Sequence, residues 1–340
     1  MKKFLFLFLI FCVAYCAFSA EFIEGRIKLV INENNGRFSL YYMTDIAQEE
    51  FLPFFAAEDP RTSFLSLILN NRTYKMGETS SFKTVLGGTA ESPSLIFESP
   101  FFVITQNFSF IKTGSSSLAN GVLITITIVN KSEQTVDAGL RYLIDTDLGE
   151  KNPPHFFTNL RQINNETIID GLSSEQYWVS KNNKLGLVGS MSGQNRPDAV
   201  YFANWKRLHD APWKISYMAG RNFNLLPYSI EDSAVCYYYE STPIPKGGSR
   251  IASLILSVAD DNILSMDFEN IASRANTGVP SENTKSDDNF AVSIRSDLAA
   301  LTDLSARLDE YIISGAYISD DELAAISLLI SRIKLKYSIP

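Results

Sequence analysis

The chain has little of what usually announces chemistry. Among its 340 residues are two histidines, His155 and His209, and three cysteines. A zinc site of the usual kind draws three or four ligands from His, Cys and acids. Two distant histidines and one downstream cysteine do not supply such a set. A Ser-His-Asp triad would need one of those histidines, and no Gly-x-Ser-x-Gly elbow occurs. The stretch GSMSG at 189–193 has Met at its centre. Neither a phosphate-binding P-loop nor Gly-x-Gly-x-x-Gly is present. Positive charge is also short. Thirty Lys and Arg face 38 Asp and Glu, a net charge of −8. So acidic a chain repels phosphate backbones, which excludes nucleic acid as the expected partner.

Long apolar runs are missing except at the start. Lys2 and Lys3 precede an apolar run from Phe4 to Ala17, and Ala17-Phe18-Ser19 places small residues before a cut at Ala20. This is the pattern of a secretory signal peptide over residues 1–19. The run is short for a membrane span, and no second one follows. Cys12 and Cys16 follow Phe11 and Tyr15 rather than the small residue a lipid-attachment cysteine needs. The expectation is an exported, periplasmic or secreted product without a transmembrane segment. Cleavage takes the charge to −10 and leaves Cys236 as the only cysteine. With no internal disulfide available, stability must come from a core, and 45% apolar content can build one. Cys236, within AVCYYYE, reads as a small buried hydrophobe.

What the chain does have is alternation. RIKLVINENNGRFSLYYM alternates, turns at Asn34-Asn35-Gly36 and alternates again, which signals a hairpin. FLSLILNNRTYKMG repeats this about Asn70-Asn71. Long β-branched and aromatic stretches continue to about residue 261, with no helical period beyond two turns. Many strands joined by short polar turns predict a mainly β fold, a large antiparallel β-sandwich spanning 20–261. Residues 262–289 read as a short helix and a polar linker containing Glu282, Asp287 and Asp288. Beyond it the period becomes helical. Ile294, Leu298, Leu301, Leu304, Leu308 and Ile312 form one apolar stripe, and Leu323, Ile326, Ile330, Ile333 and Tyr337 a second. Gly315 offers a stop, and Ser319-Asp320-Asp321-Glu322 a capping box. Residues 290–340 thus predict a C-terminal α-helical hairpin. Its apolar stripe must cover either its own sandwich or another protein.

Two stretches carry candidate sites. In YLIDTDLGEKNPPHFF (142–157), Asp145 and Asp147 fall two apart at a strand end, which puts them on one face roughly 6.5–7 Å apart. That separation suits acid/base hydrolysis of a glycoside. With Glu150 the pair could instead hold calcium, although the spacing is not that of a twelve-residue calcium loop. The plainer reading is that these acids cap turns or pair with Arg141 and Arg161, so no cofactor is expected. The second stretch, 202–240, gathers Trp205, Trp213, Asn204, Arg207, Arg221 and Asn222. Flat rings beside amides and guanidinium groups suit a sugar surface. The alternative is that they plug the sandwich and tie down its loops.

Together, VDAGLRYLIDTDLGE, FANWKRL and GRNFNLLPYSIEDSAV resemble exported, spirochaete-like bacterial β-sandwich proteins similar to the galactose mutarotase-like supersandwich. The resemblance covers roughly 22–260. It implies a concave face of the kind that handles carbohydrate, and a catalytic set of two histidines and a glutamate. Neither His155 nor His209 aligns to that set, so the resemblance implies a non-catalytic relative. The expected function is binding or assembly in the cell envelope, with a protein partner held through 290–340. For a spirochaete, the periplasmic flagellar apparatus is one expected setting. The alternative is a carbohydrate-binding module or a carbohydrate-active enzyme.

Overall fold

The structure is a computed structural model. It describes residues 19–56, 61–113, 116–151 and 153–259, together with Leu308, Leu323, Ile326 and Ser327, which are helical. The expected signal peptide up to Phe18, the expected linker and the rest of the expected C-terminal hairpin lie outside the described residues, while Ser19 opens the first strand.

The first four strands are β1 (Ser19–Glu24), β2 (Ile27–Asn32), β3 (Arg37–Asp45) and β4 (Glu50–Pro53), which pair in that order. Next come β5 (Phe64–Leu69), β6 (Arg72–Lys75), β7 (Lys83–Gly88), β8 (Pro93–Glu98), β9 (Phe102–Ile111), β10 (Gly121–Asn130) and β11 (Val136–Asp145). Then follow β12 (Phe156–Thr158), β13 (Gln162–Ile163), β14 (Thr167–Asp170), β15 (Tyr177–Lys181), β16 (Gly186–Ser190) and β17 (Ala199–Asn204). A helix, α1 (Trp205–Asp210), precedes β18 (Ser233–Ile244) and β19 (Ser249–Val258). A nine-stranded sheet runs β13-β12-β15-β16-β19-β10-β9-β8-β7, and a six-stranded sheet β14-β17-β18-β11-β5-β6. The chain is therefore mainly β and its sheets are antiparallel, as the alternation predicts.

Both hairpins form where the sequence places them. Asn70 and Asn71 have φ of 45° and 66°, the positive pair a two-residue hairpin needs, and asparagine tolerates it. Gly36 has φ of 61°, and a Cβ there would meet the Phe97 ring at 2.6 Å.

One core joins all three sheets. Leu29, Phe38 and Leu40 meet Ile104, Ile124 and Leu254 of the nine-stranded sheet and Leu65, Leu140 and Tyr237 of the six-stranded one. Trp178 is fully buried, and its Nε1 donates to the Tyr237 hydroxyl at 2.7 Å. Because side chains alternate along a strand, each sheet has a second face. On the six-stranded sheet that face carries Phe64, Leu143, Tyr201, Cys236 and Tyr238, and Leu208, Trp205 and Trp213 cover it. On the nine-stranded sheet it carries Ile111, Leu123, Tyr177, Val179, Val188 and Ile255. Cys236 is fully buried, as its sequence context predicts.

Candidate functional site

β11 ends at Asp145, and there the face shared by Asp145 and Asp147 breaks down. Asp145 is only 5% exposed, while Asp147 lies exposed in the loop beyond the strand. Between them, Thr146 Oγ1 donates to the Phe54 carbonyl at 2.7 Å and turns the chain. Neither acid takes the arginine partners read from the sequence. Arg141 donates to the carbonyls of Ala211 and Trp213, and Arg161 pairs with Glu175 at 2.9 Å.

The carboxylate that joins Asp145 and Glu150 is instead Asp232, just before β18. One oxygen from each of the three lies within 4.8 Å of the others. β11 and β18 are adjacent strands with Asp145 opposite Ala234, and that pairing brings Asp232 in. Burial pushes Asp145 up to about 7, with Asp232 and Asp147 adding repulsion. Burial likewise raises Glu150 to about 8, against a counteracting 2.8 Å hydrogen bond from the Ser233 amide to its Oε1. Asp232 is also raised by burial. At neutral pH these shifts favour the protonated forms of Glu150 and, in part, of Asp145. Once deprotonated, the trio presents three oxygen ligands of the hard kind calcium takes.

His155 lies beside this trio, almost fully buried. Its Nδ1 is 2.8 Å from Ser233 Oγ and its Nε2 2.7 Å from Glu231 Oε2. Both ring nitrogens are therefore engaged, one by each neighbour. His209 lies elsewhere, against Phe64 and Trp205, with Nδ1 2.7 Å from Asp210.

The six residues of the second stretch are mostly committed to the protein itself. Asn204 is fully buried. Its Nδ2 reaches the Phe223 carbonyl at 2.8 Å, Ser229 Oγ at 2.9 Å and the Asp232 carbonyl at 3.0 Å. Its Oδ1 accepts from the Arg207 amide at 3.3 Å and so caps α1. Arg207 pairs with the buried Glu166, and Arg221 lies 3.9 Å from the same carboxylate. Asn222 forms an isolated bridge with Asn165, and its Oδ1 accepts from the Asn224 amide. Trp205 Nε1 donates to the Thr62 carbonyl at 2.9 Å. Trp213 packs edge-on to Tyr238 under the Arg141 guanidinium. Both rings are half-buried pieces of the cover over the six-stranded sheet.

The same segment carries what the sequence reading passed over. Tyr217, Met218, Leu226, Tyr228 and Ile230 are between 45% and 71% exposed. A turn with a cis Leu226-Pro227 bond, closed by the Leu225 and Ser229 backbones, holds Leu226 and Tyr228, and Ile230 follows it. Composition could have flagged LLPYSI (225–230) as a largely apolar run. Alternation could not, because the run belongs to no strand.

No family model matches the chain, and a search of curated proteins finds no similar one. Among solved structures, it is similar to a galactose mutarotase-related enzyme from Lactobacillus acidophilus (11% identity, 72% of this chain and 98% of that chain, TM-score 0.44). It is also similar to a putative aldose 1-epimerase from Escherichia coli K12 (9%, 71% and 98%, 0.45). A galactose mutarotase-like protein from Lactobacillus casei is a third (9%, 71% and 100%, 0.42). The architecture described above stands on this chain's own strand pairing.

Proposed function

We propose that this chain is a non-catalytic, exported protein of the cell envelope that binds another protein through the loop at 217–230. The observation that carries the reading is the exposure of Tyr217, Met218, Leu226, Tyr228 and Ile230 on one short segment. Soluble monomers rarely concentrate large apolar side chains in this way unless the patch meets a partner. Met218, Leu226 and Ile230 beside the two tyrosines also fit a protein surface better than a sugar, which prefers flat rings beside free amides. The amide of Asn204 and the guanidinium of Arg207 are tied inward, which further favours protein over carbohydrate. The charge pattern and leader-like N-terminus support an extracytoplasmic place.

The test is a cross-linked pull-down from native envelope, comparing the wild-type chain with Leu226→Ser/Tyr228→Ser/Ile230→Ser. The triple variant is expected to keep its melting temperature and to lose at least nine-tenths of one specific captured protein. Equal capture by both chains would sink the reading. A glycan bound by the wild type and lost in the variant would assign the loop to carbohydrate.

A further inference from the structure

The second face of the nine-stranded sheet poses a separate question. Leu123 on β10, Val188 on β16 and Ile255 on β19 are 1%, 0% and 2% exposed. They point away from the main core, because their strand neighbours Val122, Ile124, Leu187, Leu254 and Leu256 fill it. Ile255 lies directly across from Leu123 in the register. A side chain in the middle of an uncovered sheet face keeps its outer surface toward water, as antiparallel sheets with one solvated face do. Among the described residues, the apolar side chains that join this cluster from outside are Phe157 and Ala259. Phe157 belongs to the same sheet, and Ala259 is the residue that follows β19. Among the described residues, no further apolar side chain is packed on this cluster.

We infer that the cover is this chain's own C-terminal segment, residues 290–340, laid across Leu123, Val188 and Ile255. The chain leaves β19 at that spot: the Ala259 amide donates to the Gly186 carbonyl at 2.8 Å, and Ala259 packs on the cluster. Eighty-one residues follow, and their two apolar stripes are what a helical hairpin needs to cover an apolar sheet face. Residues 260–289 give ample reach, at up to roughly 3.3–3.6 Å each. Of the described C-terminal side chains, Leu308 and Ile326 are half-buried. Helices that short bury too little by themselves to stand alone. This face is separate from the 217–230 loop, so the inference stands or falls independently of the partner proposed above.

The test uses the full mature chain with a specific protease site placed within 276–289, cut only after folding. The 290–340 fragment should then co-elute with the sandwich on size exclusion at low micromolar concentration. Leu123→Ser with Ile255→Ser should weaken that retention at least tenfold, and so should Leu301→Glu on the fragment side. Near-UV circular dichroism of the cut protein checks that the sandwich remains folded. If the serine pair unfolds it, Thr125→Arg, on the same face, together with Leu301→Glu decides the matter. A fragment that leaves the unsubstituted sandwich freely would overturn the inference. So would retention indifferent to all of these substitutions. An uncut dimer that Leu301→Glu converts to monomer would assign the cover to a second copy.

Discussion

Asp145 and Glu150 hold protons that they would release in water, because burial and the repulsion of neighbouring carboxylates disfavour their charges, and burial raises Asp232 as well. The sign of the consequence follows by linkage. Below about pH 3 the groups are protonated in folded and unfolded chains alike, and their ionisation costs nothing. As pH rises from about 4 toward about 7 for Asp145 and about 8 for Glu150, the unfolded chain has released protons that the folded state still holds, so stability falls, and it levels off above those values. Thermal unfolding should therefore show a melting temperature that declines between pH 5 and pH 8.5. Asp145→Asn should flatten that decline and stabilise the protein at pH 8 by roughly 2–4 kcal/mol. A decline of equal slope in the variant would show that the cluster does not retain its protons. A calcium ion would have to displace the same protons, so any stabilisation by calcium must grow with pH and vanish in Asp145→Asn.

At the scale of elements, the segment from α1 to β18 is held by buried polar groups more than by its own helical propensity. A six-residue helix is too short to persist alone. Asn204 joins its start to Phe223, Ser229 and Asp232 through three contacts and caps it by accepting from the Arg207 amide, and Arg141 reaches up from β11 to the carbonyls of Ala211 and Trp213. Asn204→Ala should cost about 2–3 kcal/mol in urea unfolding, since it leaves buried backbone groups unpaired. Arg141→Met should cost about as much and should shift Trp213 fluorescence to the red as the loop loosens. If either substitution is neutral, the loop is held by its apolar contacts alone. The sequence reading took Asn204, Arg207 and Trp213 as ligand-facing candidates because their residue types suit sugars. Residue type does not reveal which way a side chain turns, and here neighbouring backbone carbonyls and Glu166 claim most of them.

For the molecule as a whole, Cys236 is a built-in reporter. It is fully buried at the middle of the six-stranded sheet, and burial pushes its thiol up to about 11. It is the one cysteine among the described residues, so its reaction with a thiol reagent follows opening of the sheet. Where opening of the sheet limits the reaction, raising the pH from 7 to 9 should accelerate the labelling far less than the roughly 25-fold growth in thiolate expected of an exposed thiol over that range. Labelling should become fast only in denaturant that unfolds the sheet. Rapid labelling in native buffer would mean that β17, β18 and β11 open locally.

Alternation and turn chemistry were enough to specify the strands, the Asn70-Asn71 and Gly36 turns and the burial of Cys236, because they depend on neighbours along the chain: side-chain period, positive φ and local hydrogen bonding. The carboxylate trio was only partly legible. Asp145 and Glu150 stand close in sequence, but Asp232 arrives through the pairing of β11 with β18. Likewise, alternation separates the two faces of each sheet but does not say what covers the second one. Over the six-stranded sheet that cover is α1 with Trp205 and Trp213, and it turns would-be ligand residues into packing. Local chemistry determined the elements; tertiary structure alone decided which charges meet and which rings face water, because contacts between distant residues arise only when the sheets assemble.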